Sequence, residues 1–313
     1  MNNTFRNNAP SSKSTTRFIK LFSTTHTGTH PRPPLDPIID VTSFQTALTK
    51  HAPSISKSLT THGYYSTPAP FSILPKEIIQ AMRQQSITLR KQGRFEQSWS
   101  EKIDAVSGNA TRFDKEGVFA CEPDGGDYDD APDLIVYMSV LLQTLPDLLN
   151  RTSYCDEGDD DEQGDSSFGL SVSSFNAKLA VTLPGGSVYP LHIDNPQGLA
   201  VGDTRKLTCI IYLNPDYEPE DGGELRIFCE GGGTEQFVDL APDGGRMVLF
   251  WSDEIPHEVL PTSSSAPDAE LSDDGRDRYA LTLWIPTDNL QSIHDPRSKF
   301  AKLGDAAFPS PTL

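Results

Sequence analysis

The stretch RMVLFWSDEIPHEV, residues 246–259, joins a short apolar run to a Pro-His pair. The run at 246–251 is β-type in composition and predicts a buried strand. Runs of the same kind, separated by Gly, Pro, Asn and Asp, occupy residues 177–183, 207–213, 224–228, 236–240 and 279–285. Because no helical pattern lies between them, they predict an antiparallel sandwich or barrel, with any chemistry inside a β-barrel or jelly roll.

Two upstream segments have helical apolar spacing instead. Residues 75–92, PKEIIQAMRQQSITLRKQ, begin with a proline that suits a helix start. Their apolar residues recur about every 3.6 residues, which is the period of an α-helix. Residues 132–150, PDLIVYMSVLLQTLPDLLN, follow the same pattern. Both are predicted to be helices that pack on the sheet, so the expected fold class is mainly β with supporting helices.

The chain is predicted to have four parts. They are a disordered or targeting segment (1–35), a helical support region with acidic loops (36–167), a β domain (168–287) and a C-terminal tail (288–313). The acidic loops at 124–133 and 156–165 are too charged to bury and are predicted to lie on the surface. A calcium-type loop is the alternative for either, although the alternation and glycine placement of an EF-hand are missing.

The N-terminal segment 1–35 contains no Asp or Glu, but it contains Arg and Lys among many Ser, Thr and Asn residues. This composition is typical of an organelle transit peptide, and it also fits a polar, disordered tail. We therefore expect a cytoplasmic or nuclear protein, with a mitochondrion or plastid as the alternative destination through residues 1–35.

Bulk composition excludes several classes of partner. The formal net charge of −18 over 313 residues lacks the basic footprint that phosphate binding requires, so no nucleic-acid partner is expected. No apolar run approaches the roughly 18 to 20 residues that span a bilayer, so no membrane partner is expected. The cysteines, Cys121, Cys155, Cys209 and Cys229, form no CxxC pair and are expected to be reduced thiols in an intracellular monomer.

The triplet His192-Ile193-Asp194 is a candidate metal-binding element. Residues two apart in an extended chain point to the same face, so both side chains can reach one metal ion. His257 is the candidate third ligand, with a surface histidine after a proline as the alternative. Two imidazoles and one carboxylate leave three positions open for a bidentate ligand and dioxygen, which is typical of a ferrous oxygenase and not of a closed structural site.

Arg278 begins the strand RYALTLW, residues 278–284. An arginine on an otherwise apolar, inward-facing strand is costly unless it meets an anion, and its planar fork matches a carboxylate. The distal carboxylate of 2-oxoglutarate is therefore the candidate ligand of Arg278.

Six runs occur in a characteristic order over residues 189–284. They are HIDNPQG from His192, LTCIIYLN from Leu207, GGELRIF from Gly222, LFWSD from Leu249, PHEV from Pro256 and RYALTLW from Arg278. In these runs the chain resembles the prolyl 4-hydroxylase group of Fe(II)/2-oxoglutarate oxygenases. The resemblance is greatest to the oxygen-sensing, hypoxia-inducible-factor type of animal prolyl hydroxylases and their protist relatives.

This resemblance implies a double-stranded β-helix, which is a jelly-roll or cupin-like core. It also implies that His192, Asp194 and His257 bind Fe2+, and that Arg278 holds 2-oxoglutarate with help from the Tyr212 hydroxyl. A core tyrosine bonded to a backbone carbonyl is the alternative for Tyr212. The implied partners are dioxygen and a protein or peptide substrate with a target proline, with ascorbate as the reductant of oxidised iron.

The chain also departs from the family pattern. Leu183 stands where the animal enzymes have a tyrosine before Pro-Gly, and a looser hold on the co-substrate is the expected effect. The Ser- and Asp-rich insertion at 262–277 is expected in a surface loop that leaves the strand register intact. The glycine pair at 222–223 resembles a mobile loop that covers substrate, with a plain hairpin turn as the alternative. Trp251 and Trp284 are expected in the barrel core, with pocket lining as the second reading.

Three functional hypotheses follow. The first is a protein prolyl 4-hydroxylase, with a role in oxygen sensing. The second is an oxygenase of the same fold that acts on another residue or on a small molecule. The third is a non-catalytic binding protein that keeps the barrel, and the complete set of metal ligands with Arg278 argues against it.

Overall fold

The computed structural model describes residues 4–7, 35–68, 73–103, 110–152, 168–186, 189–229, 237–263 and 276–303. Several predictions lie outside the described residues. They concern most of the N-terminal segment 1–35, the acidic loop at 156–165, Cys155, the insertion between residues 264 and 275, and the tail beyond residue 303.

The described residues contain three α-helices and twelve β-strands. The helices are α1 (Val41–His62), α2 (Lys76–Lys91) and α3 (Pro132–Arg151). The strands that precede, separate or follow them are β1 (Thr4–Asn7), β2 (Tyr64–Ser66), β3 (Glu96–Ile103), β4 (Ala110–Cys121), β5 (Asn176–Thr182), β6 (Tyr189–His192), β7 (Arg205–Tyr212), β8 (Leu225–Phe228), β9 (Phe237–Leu240), β10 (Met247–Trp251), β11 (His257–Val259) and β12 (Arg278–Pro286).

These strands form two antiparallel sheets. The larger sheet has the order β1-β3-β4-β5-β12-β7-β10-β2, and the smaller has the order β6-β11-β8-β9. From β5 to β12 the chain passes back and forth between the sheets, so that β5, β7, β10 and β12 lie in one and β6, β8, β9 and β11 in the other. This winding is a double-stranded β-helix, and the predicted fold class is confirmed.

The six strands predicted from apolar runs correspond to β5, β7, β8, β9, β10 and β12, with small shifts at their ends. The pattern missed β6 and β11, which have four and three residues. It also missed α1 and the strands β1, β2, β3 and β4. Residues 36–167 therefore supply strands to the larger sheet as well as helices, and β1 lies in the segment 1–35, where no strand was predicted. The two predicted helices are confirmed as α2 and α3.

The larger sheet is apolar on both faces at its centre, because one face packs on helices and the other faces the smaller sheet. All five residues of β10 are buried. On the helix side, the Trp251 indole N–H donates to the Leu59 carbonyl of α1 at 3.1 Å. On the inner side, the Phe250 ring lies 4.4 Å from the His257 ring of the smaller sheet. A strand that is buried on both faces has a continuous apolar sequence, and β10 has such a sequence.

Helices α1 and α3 pack together behind the larger sheet. The rings of Phe44 and Tyr137 stack with centroids 5.4 Å apart. Helix α1 begins at an Asp40 cap, whose side chain accepts a hydrogen bond from the Ser43 N–H, and it ends at Gly63 in the left-handed region with φ of 77°. No helix in the described part of the chain is both long and apolar enough to cross a membrane.

Helix α2 is hydrogen-bonded to two loops of the β domain through the buried side chain of Arg83. Arg83 donates to the Leu213 carbonyl at 2.9 Å, to the Asn214 side-chain oxygen at 3.0 Å and to the Asp277 carbonyl at 3.0 Å. Arg90, two turns further along α2, donates to the Asp277 carboxylate at 2.6 Å. Residue 277 immediately precedes β12, so α2 holds the start of that strand in place.

We expect Arg83→Met to lower the free energy of unfolding by about 3 kcal/mol, because three buried oxygens lose their donor while the aliphatic volume is kept. Urea unfolding followed by circular dichroism measures this change. Arg297→Met is the matched control, since that side chain is 81% exposed and its ion pair with Asp295 lies on the surface. The control should change stability by less than about 0.5 kcal/mol. Equal effects of the two substitutions would contradict the role assigned to Arg83.

Candidate active site

Strands β6 and β11 bring two histidines together. His192 ends β6, His257 begins β11, and the two are direct partners in the antiparallel pairing. Asp194 follows β6 by two residues. One ligand atom from each of the three side chains lies within 4.8 Å of the other two. The structure thus brings together the three residues that the sequence analysis selected as metal ligands, and all are buried.

Both histidines direct the same nitrogen toward the carboxylate. The Nε2 atoms of His192 and His257 lie 3.6 and 3.8 Å from Oδ1 of Asp194. The Nδ1 atoms face the backbone carbonyls of Pro190 and Ile255, at 2.7 and 3.0 Å. A carbonyl only accepts hydrogen bonds, so Nδ1 carries the proton and the Nε2 lone pair remains available for a metal ion.

The protonation states suit metal binding. Burial and the neighbouring His192 lower the pKa of His257 to about 4, which keeps this imidazole neutral near neutral pH. Burial opposes ionisation of Asp194, but His257, His192 and Arg205 together hold the pKa of its carboxyl well below the usual range. The site therefore offers neutral imidazole at position 257 and a carboxylate, the forms that bind metal.

The larger sheet supports Asp194 from behind. Its Oδ2 accepts hydrogen bonds from the Thr208 hydroxyl at 2.7 Å and from the Trp284 indole N–H at 2.9 Å. Thr208 and Trp284 are direct partners in the pairing of β7 with β12, so one rung of the sheet provides both donors. The Thr208 hydroxyl also lies 2.7 Å from the Ser252 hydroxyl. With Oδ2 occupied, Oδ1 is the oxygen that faces the histidines.

Sequence reasoning missed this support. Trp284 was expected in the core, with pocket lining second, and the structure gives it a direct contact with a candidate metal ligand. Trp251 lies in the core as expected. The available signal was the alternation of β12, because Arg278 and Trp284 are an even number of residues apart and must share a face.

Arg278 and Tyr212 lie on the same inward side of the larger sheet. Arg278 is 8% exposed, and its Nε donates to the Gly223 carbonyl at 2.8 Å. The guanidinium carbon lies 5.1 Å from the centre of the Tyr212 ring. The buried Tyr212 hydroxyl makes no hydrogen bond of standard geometry to a described residue, although it lies near enough to Arg278 to interact with it. Burial raises its pKa, although Arg278 and Arg246 oppose the rise, so the phenol stays protonated and can donate.

These groups offer the kind of hydrogen-bond donors that a carboxylate ligand accepts. With Nε engaged by the Gly223 loop, the two terminal amino groups of Arg278 remain as paired donors. A buried tyrosine hydroxyl beside them is explained by a ligand that accepts its hydrogen bond. The structure therefore places the candidate metal ligands and the Arg278 and Tyr212 donors on the inner faces of one barrel.

Lys115 is a further charged group near the site, and sequence reasoning did not single it out. It lies on β4, is 5% exposed, and its ammonium nitrogen is 3.6 Å from the centre of the Tyr189 ring. Burial and the charge of Lys178 lower the pKa of Lys115 to about 6, while Asp194 opposes the change. Lysines on β4 and β5 thus line one side of β6, and no motif marks them because β4 is remote in sequence.

Residues 177–286 match the sequence model of the 2OG-Fe(II) oxygenase superfamily, where 2OG is 2-oxoglutarate. The match covers about a third of the chain and includes the candidate ligand residues His192, Asp194, Tyr212, His257 and Arg278. The superfamily implies Fe2+ and 2-oxoglutarate, and the residues present fit both groups. Two imidazole nitrogens and one carboxylate suit Fe2+, and an arginine with a free phenol suits a dicarboxylate.

Curated relatives match part of the chain. Human Egl nine homolog 1 is 43% identical over 109 residues, which is 34% of this chain and 21% of the relative. Human prolyl hydroxylase EGLN3 is 41% identical over 117 residues, or 36% of this chain and 41% of the relative. The hypoxia-inducible factor prolyl hydroxylase of Caenorhabditis elegans is 37% identical over 136 residues, or 43% of this chain and 16% of the relative. The chain thus spans less than half the length of each.

Solved structures share the fold of the oxygenase over a longer stretch. A prolyl hydroxylase from Trichoplax adhaerens, in complex with a hypoxia inducible factor peptide fragment, covers 82% of this chain and 98% of its own, with a TM-score of 0.56 and 23% identity. A prolyl-4-hydroxylase from Pseudomonas putida covers 75% of this chain and 98% of its own, with a TM-score of 0.53 and 23% identity. These likenesses show the fold alone.

We expect Trp284→Phe to weaken metal binding by the protein about tenfold or more, because Asp194 loses one of the two donors that orient its carboxylate. Anaerobic calorimetric titration with Fe2+ measures the dissociation constant. Trp251→Phe is the matched control, since it removes an indole bond to the Leu59 carbonyl away from the metal. It should lower stability by about 1 kcal/mol and leave the metal affinity unchanged. Equal metal affinities in all three proteins would contradict this role of Trp284.

We expect the metal-free protein to lose stability as pH falls from about 6.5 to about 4. In that window the unfolded chain binds a proton at His257 that the folded protein does not, because the folded pKa is depressed to about 4. The stability that depends on a neutral His257 is fully present above about pH 6.5. The His257→Gln variant should lose Tm less steeply over this range, and His62→Gln, at an exposed position, should keep the wild-type slope. Parallel curves for wild type and His257→Gln would contradict the prediction.

Proposed function

We propose that this protein is an Fe(II)- and 2-oxoglutarate-dependent dioxygenase that hydroxylates a proline residue of a protein substrate. The observation that carries the proposal is the meeting of His192, Asp194 and His257 in one barrel whose opposite wall holds Arg278. A centre with only three protein ligands keeps positions for a chelating co-substrate and for dioxygen. A structural metal site would be closed by a fourth protein ligand.

Each residue has a proposed role. His192, Asp194 and His257 would hold Fe2+, and Arg278 and Tyr212 would hold the far carboxylate of 2-oxoglutarate. When bound, these groups supply the oxidising power that inserts one oxygen atom into a C–H bond while 2-oxoglutarate becomes succinate and carbon dioxide. Thr208 and Trp284 keep the Asp194 carboxylate oriented, and the buried Phe250 ring excludes water beside His257.

Proline is the proposed target because two of the curated relatives, 41% and 37% identical over parts of this chain, are named prolyl hydroxylases. A peptide substrate is supported by the Trichoplax adhaerens structure, which contains such a fragment. The names of the relatives also support a role in oxygen sensing. The net charge of −18 favours substrates with basic flanks, because the acidic field would attract them.

The proposed cellular compartment follows from the state of the cysteines. Cys121, Cys209 and Cys229 are free thiols, and burial raises the pKa of Cys121 and Cys209 to about 12. Buried, protonated thiols need no oxidising compartment and react slowly. We propose a monomer in the cytoplasm or nucleus, with ascorbate as the reductant that restores ferrous iron after unproductive oxidation.

The test begins with anaerobic protein loaded with Fe2+ and 2-oxoglutarate and then exposed to labelled dioxygen, with and without proline-containing peptides. We expect succinate release that rises with peptide, and a mass gain of one labelled oxygen atom on proline. His257→Ala should abolish both signals, because one metal ligand is lost. The control His62→Ala, at an exposed position outside the barrel, should match wild type.

Three other outcomes would change the conclusion. Succinate without peptide oxidation across many proline peptides would favour an oxygenase that acts on another residue or a small molecule. Oxidation of a residue other than proline would keep the oxygenase and remove the proline assignment. No succinate from wild type, with a Fe2+ affinity that His257→Ala leaves unchanged, would overturn the enzyme proposal in favour of a binding protein.

A further inference from the structure

Thr182 is a polar residue in the barrel that the proposed function does not yet use. It ends β5 and is the direct partner of Arg278 in the antiparallel pairing of β5 with β12. Directly paired residues point to the same face of a sheet, so the Thr182 side chain shares the inward face of Arg278. Thr182 is 3% exposed, and its hydroxyl oxygen bonds to none of the described residues.

Tyr212 completes a row with these two residues. It pairs with Ala280 on β12, and residues 278 and 280 lie on the same face because side chains alternate along a strand. Three neighbouring strands, β5, β12 and β7, therefore present Thr182, Arg278 and Tyr212 to the same space. Two of these three have a buried hydroxyl that makes no hydrogen bond of standard geometry to a described residue.

The surroundings of Thr182 place its methyl group, and not its hydroxyl, against the turn that follows β5. The Thr182 methyl group packs against Gly186, where an added Cβ would lie 2.9 Å from it. The Gly186 N–H closes that turn on the Leu183 carbonyl at 2.8 Å, and the Thr262 hydroxyl donates to the same carbonyl at 3.0 Å. The polar groups of the turn thus satisfy each other and not Thr182.

A buried hydroxyl without a partner destabilises a protein, whereas valine would fill the same space without that cost. The hydroxyl is therefore explained by a ligand that accepts its hydrogen bond. A carboxylate offers about four acceptor positions on its two oxygens. The two terminal amino groups of Arg278 and the Tyr212 hydroxyl leave one of these for a third residue.

We propose that the Thr182 hydroxyl donates a hydrogen bond to the distal carboxylate of 2-oxoglutarate and makes the pocket selective for a dicarboxylate co-substrate. This inference rests on the proposed function, because it takes the 2-oxoglutarate site of the oxygenase as given. It adds a residue on β5 to the two on β12 and β7, so that donors from three strands surround the carboxylate.

The test compares wild type with Thr182→Val, which removes the hydroxyl and keeps the shape, and with Thr182→Ser, which keeps the hydroxyl. Each protein, loaded anaerobically with Fe2+, is titrated with 2-oxoglutarate and with 2-oxopentanoate. The second acid has the same keto-acid end and chain length but a methyl group in place of the distal carboxylate. Calorimetry and the charge-transfer absorbance of the ferrous complex both report binding without turnover.

We expect Thr182→Val to weaken 2-oxoglutarate binding about tenfold, the size of one hydrogen bond to a charged group. Its affinity for 2-oxopentanoate should equal that of wild type, and Thr182→Ser should bind 2-oxoglutarate nearly as wild type does. Without ligand, Thr182→Val should melt at or above the wild-type Tm, because it buries no unpaired hydroxyl.

The outcomes separate this inference from the proposed function. If wild type binds 2-oxoglutarate and Thr182→Val binds it equally well, the role of Thr182 is overturned while the oxygenase proposal stands. An equal loss for both acids would likewise overturn it, since it would assign Thr182 to packing. If wild type does not bind 2-oxoglutarate, the proposed function fails first and this inference fails with it.

Discussion

The pairing of β6 with β11 is the constraint on which the site depends, because it sets His192 directly opposite His257. Both strands are short, and β11 gains its position from a second pairing with β8. The smaller sheet thus carries the two imidazoles, while the larger sheet holds Asp194 through Thr208 and Trp284. A metal ion bound there would connect the sheets, so ligand geometry and sheet packing constrain each other.

Sequence patterns predicted the parts of the molecule whose structure depends on local sequence alone. Apolar runs marked six strands, and the even spacing of His192 and Asp194 placed both on one side of the chain. The patterns failed where structure depends on pairing between distant strands. β6 and β11 are too short and too polar to produce a run, and α1 is rich in Ser and Thr and contains Pro53. The donors to Asp194 follow from the register of β7 with β12, which no single segment encodes.

Charge is distributed unevenly between the surface and the barrel. The whole chain has a formal charge of −18, yet basic side chains lie around the interior of the barrel, with Arg278 on one side and Lys178 on another. An acidic exterior alone would repel a dicarboxylate. Interactions in a buried pocket are screened much less than interactions across the solvent, so the local cations determine which ions bind inside.

The anchorage of β12 by helix α2 has a consequence for where the folding unit ends. The superfamily match begins at residue 177. The start of β12, the strand that presents Arg278, is held by Arg83, which lies well upstream of that match. Strand β4, also upstream, covers the flank of β5. A fragment limited to the matched segment would contain every residue proposed to bind the metal ion or 2-oxoglutarate. It would lack helix α2 and strand β4, which hold the neighbouring strands in place. The folding unit that holds the candidate site is therefore wider than the matched segment, since residues upstream of position 177 hold β5 and β12 in place.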